Sequence, residues 1–107
     1  MRPGTQDLLN AMKQPCVYIL ASKRNGTLYV GVTSNLMRRV WDHKSGSIDG
    51  FTRRYGVHRL VYVEWHETME TAIKGEKQLK RWRRAWKPNL IERDNREWRD
   101  LYDASLM

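Results

Sequence analysis

Two short apolar runs near the start of the chain predict a β-hairpin. Residues 16–21 (CVYILA) and 27–32 (TLYVGV) are rich in β-branched and aromatic side chains, which are typical of strands. Asn25 and Gly26 lie between the two runs. An Asn-Gly pair favours a type I′ hairpin turn, because both residues tolerate positive φ angles. The pattern therefore predicts two antiparallel strands.

A helix is predicted directly after the hairpin. Thr33, Ser34 and Asn35 can each cap a helix start, and apolar residues from Leu36 to Trp41 recur at helical spacing. Gly46 is predicted to end this helix, because a helix commonly stops at a glycine. Residues 46–57 contain three glycines and are predicted to form a loop.

The second half of the chain predicts one strand and two more helices. Residues 58–66 (HRLVYVEWH) are interpreted as a third strand. Thr68 is a predicted cap for a longer helix that ends before Pro88. Asp94 and Glu97 resemble a capping box and predict a last helix.

The order β-β-α-β-α-α predicts an α+β fold, in which helices flank a small three-stranded antiparallel sheet. At 107 residues the chain can bury one modest core. We interpret residues 1–15 as a flexible N-terminal arm. Residues 16–107 are interpreted as a single domain with a C-terminal helix.

The net charge indicates more about possible binding partners than the amino-acid composition does. Lys and Arg total 20 against 12 Asp and Glu, which gives a formal net charge of +8. Such a balance favours a polyanionic partner, either nucleic acid or an anionic membrane surface. No apolar run is long enough to cross a bilayer. The single cysteine, Cys16, fits a reducing compartment, so we expect a cytoplasmic protein.

Tyr18 and Tyr29 are predicted to point to the same face of the hairpin. With a two-residue turn Ser22 faces Tyr29, and any other turn of even length keeps both phenols on one face. This register leaves the phenols some way apart along the sheet. Two core tyrosines would be the more common interpretation of such a pair.

Arg39 and His43 are four residues apart, which places them one turn apart on the first helix. A guanidinium can bind a phosphate with two parallel hydrogen bonds, and an imidazole can exchange a proton near neutral pH. Taken alone, a surface arginine and a half-buried histidine are the more common interpretation.

Glu76 falls on the apolar side of the longer helix, three residues from both Ile73 and Leu79. A carboxylate is costly there unless it is paired or bound to a metal. Two interpretations are open: an ion pair with a lysine or arginine, or a site for Mg²⁺ or Mn²⁺. The basic run from Lys77 to Lys87 favours contact with phosphates, with a membrane-surface helix as the alternative.

Together these residues resemble a known family. Residues 17–18 (VY) followed by 29–31 (YVG) are similar to the paired motif that gives the GIY-YIG nucleases their name. Arg39 and His43 follow at the spacing of that family. Glu76 stands on the helix where the family has its metal-binding carboxylate.

The resemblance extends from about Cys16 to Asn89, and it has departures. Cys16 stands where the family has glycine, and Val30 stands where it has isoleucine. The family often has an asparagine after the long helix. Asn89 is our assignment for it, and Asn95 is the alternative.

The resemblance implies a metal-dependent DNA endonuclease that hydrolyses phosphodiester bonds with one Mg²⁺ or Mn²⁺ held by Glu76. It implies the following catalytic residues: Tyr18, Tyr29, Arg39, His43 and Glu76. It also suggests the following nucleic-acid-binding residues: Gly31, Arg53, Arg54, Lys77, Lys80, Arg81, Arg84 and Asn89. Gly31 would let backbone approach the DNA, and either Tyr29 or His43 would be the general base.

The substrate is less well defined than the reaction. Without a separate DNA-reading domain one groove must supply all binding, and we expect single-stranded DNA, with duplex or branched DNA as alternatives. A second interpretation is a non-catalytic nucleic-acid-binding module on the same fold. We expect a monomer that has neither a protein partner nor a membrane as its partner.

Overall fold

The computed structural model describes residues 13–47 and 50–102. Its three strands, β1 (Cys16–Ala21), β2 (Leu28–Thr33) and β3 (Arg59–Trp65), form one antiparallel sheet. The spatial order is β2-β1-β3, so β1 is central and β2 and β3 are the edges. All three predicted strands are confirmed to within a residue at each end.

In the described part of the chain four helices accompany the sheet: α1 (Leu36–Ser45), α2 (Phe51–Arg54), α3 (Met69–Arg81) and α4 (Trp86–Asp94). The predicted α+β class is confirmed. Within the described residues, no helix has both the length and the apolar character that a bilayer span requires. Residues 1–12 of the predicted N-terminal arm lie outside the described part of the chain.

Side-chain caps define where the two longer helices begin. The side chain of Asn35 accepts a hydrogen bond from the Arg38 N–H at 3.3 Å, and Gly46 ends α1 with a φ of 74°. The side chain of Thr68 accepts from the Thr71 N–H at 3.2 Å at the start of α3. These contacts satisfy backbone groups that the helix itself leaves unpaired, and they confirm the predicted caps.

The hairpin turn differs from the predicted one. The Gly26 N–H donates to the Lys23 carbonyl at 2.9 Å, so residues 23–26 form a four-residue loop. Asn25 has a φ of 57°, whereas the φ of Gly26 is not positive. The prediction of a type I′ turn at Asn25 and Gly26 is therefore wrong.

The Ser22 side chain explains the wider loop. Its hydroxyl accepts a hydrogen bond from the Thr27 N–H at 2.9 Å, and a Cβ on Gly26 would collide with that hydroxyl. The four-residue loop moves the strand register by two residues, and Tyr29 faces Leu20 rather than Ser22. An even shift preserves the facing of every side chain.

Both faces of β1 are buried, because helices cover each face. Alternate residues of β1 face α3 and α4 on one side of the sheet: Val17, Ile19 and Ala21. The intervening residues face α1 on the other side: Cys16, Tyr18 and Leu20. The site described below depends on this division into an α1 face and an α3 face.

Two predictions of secondary structure are wrong, the loop at residues 46–57 and the helix that was predicted to begin at Asp94. Residues 46–57, predicted as loop, contain α2, and the predicted last helix beginning at Asp94 is absent from the described residues 95–102. Pro88 lies in the first turn of α4, where its missing N–H costs nothing. Asp94 therefore ends a helix instead of beginning one.

Asn95 fixes the segment that follows α4. Its side-chain amide donates to the carbonyls of Val61 at 3.2 Å and Arg99 at 2.8 Å, and its oxygen accepts from the Arg99 N–H at 2.9 Å. The next turn places the indole of Trp98 in the core with no exposed surface. Asn95 therefore has a structural role.

We expect Asn95→Ala to lower the free energy of unfolding by about 2–4 kcal/mol, because it leaves buried backbone groups without partners. Asn89→Ala is the matched control, since Asn89 is exposed on α4. Urea denaturation followed by circular dichroism measures both. Equal effects of the two substitutions would contradict the structural role of Asn95.

Candidate active site

Three aromatic side chains meet on the α1 face of the sheet. The ring centroids of Tyr18 and Tyr29 are 6.3 Å apart, and that of His43 lies 6.1 Å from Tyr18 and 5.2 Å from Tyr29. The predicted common face of the two tyrosines is confirmed. The observed register also makes them diagonal neighbours, because Tyr29 pairs with Leu20 and Tyr18 pairs with Gly31.

Hydrogen bonds hold the His43 ring at both nitrogens. The Tyr18 hydroxyl lies 3.1 Å from Nε2, and the Thr52 hydroxyl lies 2.9 Å from Nδ1. His43 is 2% exposed and Thr52 is 3% exposed. Because a neutral imidazole donates at one nitrogen and accepts at the other, the ring can link the phenol to the hydroxyl.

Burial determines the protonation states of His43 and Tyr18. It lowers the pKa of His43 to about 4, and the nearby Arg39 cation acts in the same direction. The imidazole is therefore neutral at neutral pH. Burial also raises the pKa of Tyr18 above its usual range, although the contact with Arg39 opposes this shift. Tyr18 accordingly keeps its proton.

Arg39 lies beside both phenols. Its contact with Tyr18 raises the pKa of the guanidinium, burial opposes this shift, and a weaker interaction with Tyr29 acts in the same direction as Tyr18. The guanidinium and the His43 ring therefore both lie close to Tyr18, whose hydroxyl is 3.1 Å from Nε2 of His43.

Gly31 provides space for the Tyr18 ring. It pairs with Tyr18 across the hairpin, and a Cβ at Gly31 would lie 2.5 Å from the Tyr18 hydroxyl oxygen. The sequence predicted that this glycine lets the protein backbone approach DNA, and this stays a prediction. The structure adds a packing reason, since any side chain at this position would displace Tyr18.

Glu76 lies on α3, the helix that packs against the opposite face of the sheet. Its side chain is 16% exposed and forms an ion pair with Lys80, one turn further on, at 2.9 Å. This ion pair was one of the two interpretations open from the sequence. Glu76 therefore lies across the sheet from the cluster of Tyr18, Tyr29 and His43.

A groove along the free edge of β2 connects the two faces. One cleft of about 280 Å³ is lined by Leu28, Tyr29, Val30, Phe51, Lys80 and Lys87. An adjoining cleft of about 310 Å³ is lined by Thr27, Leu28, Phe51, Trp82, Arg84 and Lys87. We call the two together the edge groove. Because Lys80 lines this groove, the ion pair of Glu76 and Lys80 lies at the same groove as Tyr29.

The predicted nucleic-acid-binding residues divide into two groups. Lys80 and Arg84 line the edge groove. The others with charged or amide side chains are exposed on the helices without lining this groove: Arg53, Arg54, Lys77, Arg81 and Asn89. The rival of Asn89, Asn95, is committed to backbone hydrogen bonds, as described above.

Four residues near the site were missed from the sequence: Phe51, Thr52, Tyr55 and Lys87. Interpreting residues 46–57 as a loop concealed that Thr52 enters the core and that Phe51 faces Tyr29 at 6.5 Å between ring centroids. The four-residue spacing of Phe51 and Tyr55 is a helical signal that could have revealed α2. Lys87 was predicted to contact phosphates only as part of the basic run, and not as a separate binding residue.

Comparison with known proteins identifies the family. Residues 14–89 match the model of the GIY-YIG catalytic domain, and this chain belongs to the GIY-YIG family. It is similar to a UPF0213 protein of Clostridium perfringens, with 39% identity over 70% of this chain and 80% of that protein. A UPF0213 protein of Bacillus licheniformis is 34% identical over 81% of this chain and 89% of its own length.

A solved structure supports the same assignment. The solution NMR structure of a UPF0213 protein from Bacillus halodurans matches with a TM-score of 0.51 and 29% identity, covering 86% of this chain and 97% of that one. The family match ends at residue 89 and thus includes Asn89 but not Asn95.

The protonation of His43 predicts a specific pH dependence of stability. Its pKa of about 4 in the folded protein lies below the unfolded value of about 6.5. The folded state therefore favours the neutral ring, and its stabilising contribution is present above pH 6.5 and is lost as the pH falls towards 4. We expect a loss of up to about 3 kcal/mol over this range.

The measurement is urea denaturation at several pH values, with His43→Gln as the comparison. The glutamine variant cannot titrate at this position, so its unfolding free energy should fall less steeply between pH 6.5 and pH 4. Carboxylates titrate in both proteins and cancel in the difference. Parallel profiles for the two proteins would show that His43 is not held neutral by the fold.

Proposed function

We propose that this chain is a metal-dependent endonuclease that hydrolyses phosphodiester bonds in DNA and prefers single-stranded DNA. The observation that carries the proposal is the contact of Tyr18, Tyr29 and His43 beside Arg39, where the edge groove meets the α1 face. Membership of the GIY-YIG family supports a nuclease. The structure of the groove supports the assignment of roles below.

Tyr29 is the residue that we assign to the attacking water. Its phenol is half-buried and lines the edge groove, whereas His43 is buried and has both ring nitrogens bound to protein groups. To act as the base, Tyr29 would first release its own proton to solvent in the groove, and the adjacent Arg39 cation would stabilise the phenolate that then accepts a proton from the water. Tyr18 and His43 then serve to hold the Arg39 and Tyr29 side chains in place.

Arg39 is the residue that we assign to the phosphate. Its guanidinium stays charged, and it is held beside the two phenols by the contacts that raise its pKa. A fixed cation with parallel N–H donors matches the charge that builds up on a phosphate as it becomes pentacoordinate. Because the guanidinium is positioned before the substrate arrives, little reorganisation is needed during the reaction.

Glu76 is the residue that we assign to a Mg²⁺ or Mn²⁺ ion. Mg²⁺ is commonly bound by one or two carboxylates together with substrate phosphates and water. The Glu76 carboxylate offers one such oxygen ligand, and its side chain is only 16% exposed. When bound, such an ion stabilises the charge on the leaving oxygen.

The ion pair with Lys80 does not prevent Glu76 from holding a cation. A pair of this i,i+4 type stabilises a helix by only about 0.3–0.5 kcal/mol, and the Lys80 side chain is 53% exposed. A divalent ion can therefore replace the ammonium group. Lys80 would then be free to contact a phosphate in the edge groove.

A single strand suits the edge groove better than a duplex. The groove consists of two open clefts that share Leu28, Phe51 and Lys87, with lysine and arginine cations along it. A flexible strand can place successive phosphates against such cations while it follows the strand edge. This observation supports the preference for single-stranded DNA.

Glu76→Gln is expected to lower Mg²⁺-dependent cleavage of a labelled single-stranded oligonucleotide by about 100-fold or more, because a neutral amide holds the ion weakly. Glu70→Gln is the matched control, since Glu70 forms the same i,i+4 pair with Lys74 on the same helix, at 3.6 Å and largely in solvent. Gel analysis of the products gives the rate. Cleavage that persists in EDTA, or that Glu76→Gln leaves intact, would refute the metal assignment.

Arg39→Ala is expected to lower turnover by about 10²–10³-fold while changing binding in EDTA by less than about 3-fold, because its charge acts mainly in the transition state. Arg38→Ala is the control, since Arg38 is 67% exposed on the same helix and pairs with Asp42. Single-turnover rates and anisotropy titrations separate the two effects. If binding and turnover fall together, Arg39 is a docking residue.

A further inference from the structure

Phe51 and Tyr55 are exposed aromatic residues that belong to neither of the hydrophobic clusters on the two faces of the sheet. Phe51 is 47% exposed and Tyr55 is 51% exposed. Their ring centroids are 4.9 Å apart, and the Phe51 ring lies 6.5 Å from that of Tyr29 with an interplanar angle of 30°. Half-exposed rings gain little from burial on folding, so stability alone does not account for this pair.

Cations lie on both sides of the pair. The guanidinium of Arg54 is 5.7 Å from the centre of the Tyr55 ring. Phe51 and Lys87 line both clefts of the edge groove, with Lys80 in one cleft and Arg84 in the other. Apolar ring faces flanked by cations are the combination that binds nucleic acid strands, because bases stack on the rings while phosphates meet the charges.

The position of Phe51 indicates which form of nucleic acid fits. Phe51 lines the edge groove beside Tyr29, so a base on its ring would sit next to the reacting groups. Bases within a duplex already have their faces covered by neighbouring bases. Exposing the face of one duplex base costs a few kcal/mol of lost stacking and pairing, and an unpaired base in a single strand avoids most of this cost.

We propose that Phe51 and Tyr55 form a base-stacking subsite for single-stranded DNA. An unpaired base stacks on the Phe51 ring, and the adjoining phosphates contact Lys80, Lys87 and Arg84 along the edge groove. The location beside the scissile phosphate rests on the proposed function. The subsite explains how a single strand is selected over a duplex, and it predicts weak dependence on base identity.

Binding in EDTA tests the subsite without cleavage. The probe is a fluorescein-labelled oligothymidylate, and its affinity for the full chain is measured by anisotropy. Phe51→Ala is expected to weaken binding by about 5- to 100-fold, and Phe51→Trp should retain it. Trp65→Ala, which removes an aromatic ring of equal exposure, 47%, on β3, should change binding less than about 2-fold.

An abasic oligonucleotide separates stacking from phosphate contact. It keeps every phosphate and lacks the bases, so wild type and Phe51→Ala should bind it equally. The subsite is refuted if Phe51→Ala weakens abasic binding as much as oligothymidylate binding, or if it weakens neither. An equal effect of Phe51→Ala on a blunt duplex would refute the selection of single strands.

The outcome is distinguishable from that of the proposed function. Cleavage in Mg²⁺ with normal binding by Phe51→Ala would leave the nuclease standing and refute the subsite. Base-dependent loss of binding in Phe51→Ala without any cleavage by the wild type would support the subsite and refute the nuclease. Circular dichroism spectra of the variants establish that each is folded.

Discussion

A buried imidazole held between a phenol and a hydroxyl joins three separate elements of this fold. Tyr18 comes from β1, His43 from α1 and Thr52 from α2, and the two hydrogen bonds are 3.1 and 2.9 Å long. Leaving a buried polar group without a partner costs about 1–3 kcal/mol, so the three elements can meet in few other ways. The same contact positions α2, and α2 in turn brings Phe51 beside Tyr29.

The site extends around the edge of the sheet. Tyr29 points to the α1 face, whereas Leu28 and Val30 point to the α3 face, and all three line one cleft. An unpaired strand edge invites pairing with another chain, and lysines beside an edge oppose this. Lys80 and Lys87 meet that need and also supply positive charge to the edge groove.

Local patterns predicted the strands, the caps and the common face of Tyr18 and Tyr29, because each depends on neighbours within a few residues. The prediction that the two phenols share a face was right although the predicted turn type was wrong, because both the predicted and the observed loops have an even number of residues. Side-chain hydrogen bonds were not predictable from these patterns. Thr52 binds the His43 ring nine residues away, and the Ser22 hydroxyl binds the Thr27 N–H across a hairpin loop for which the Asn-Gly pair predicted a tighter turn.

The two sequence interpretations of Glu76, an ion pair and a metal ligand, are compatible. On the same helix the Glu70 and Lys74 side chains are 80% and 75% exposed, so neither needs the other. The Glu76 side chain is 16% exposed, and a carboxylate so little solvated needs a counter-charge. Lys80 supplies that charge when no cation is bound, and its own exposure allows it to leave. The lysine therefore accounts for an acidic residue on this side of α3, and in the proposed function Glu76 would hold the ion in its place.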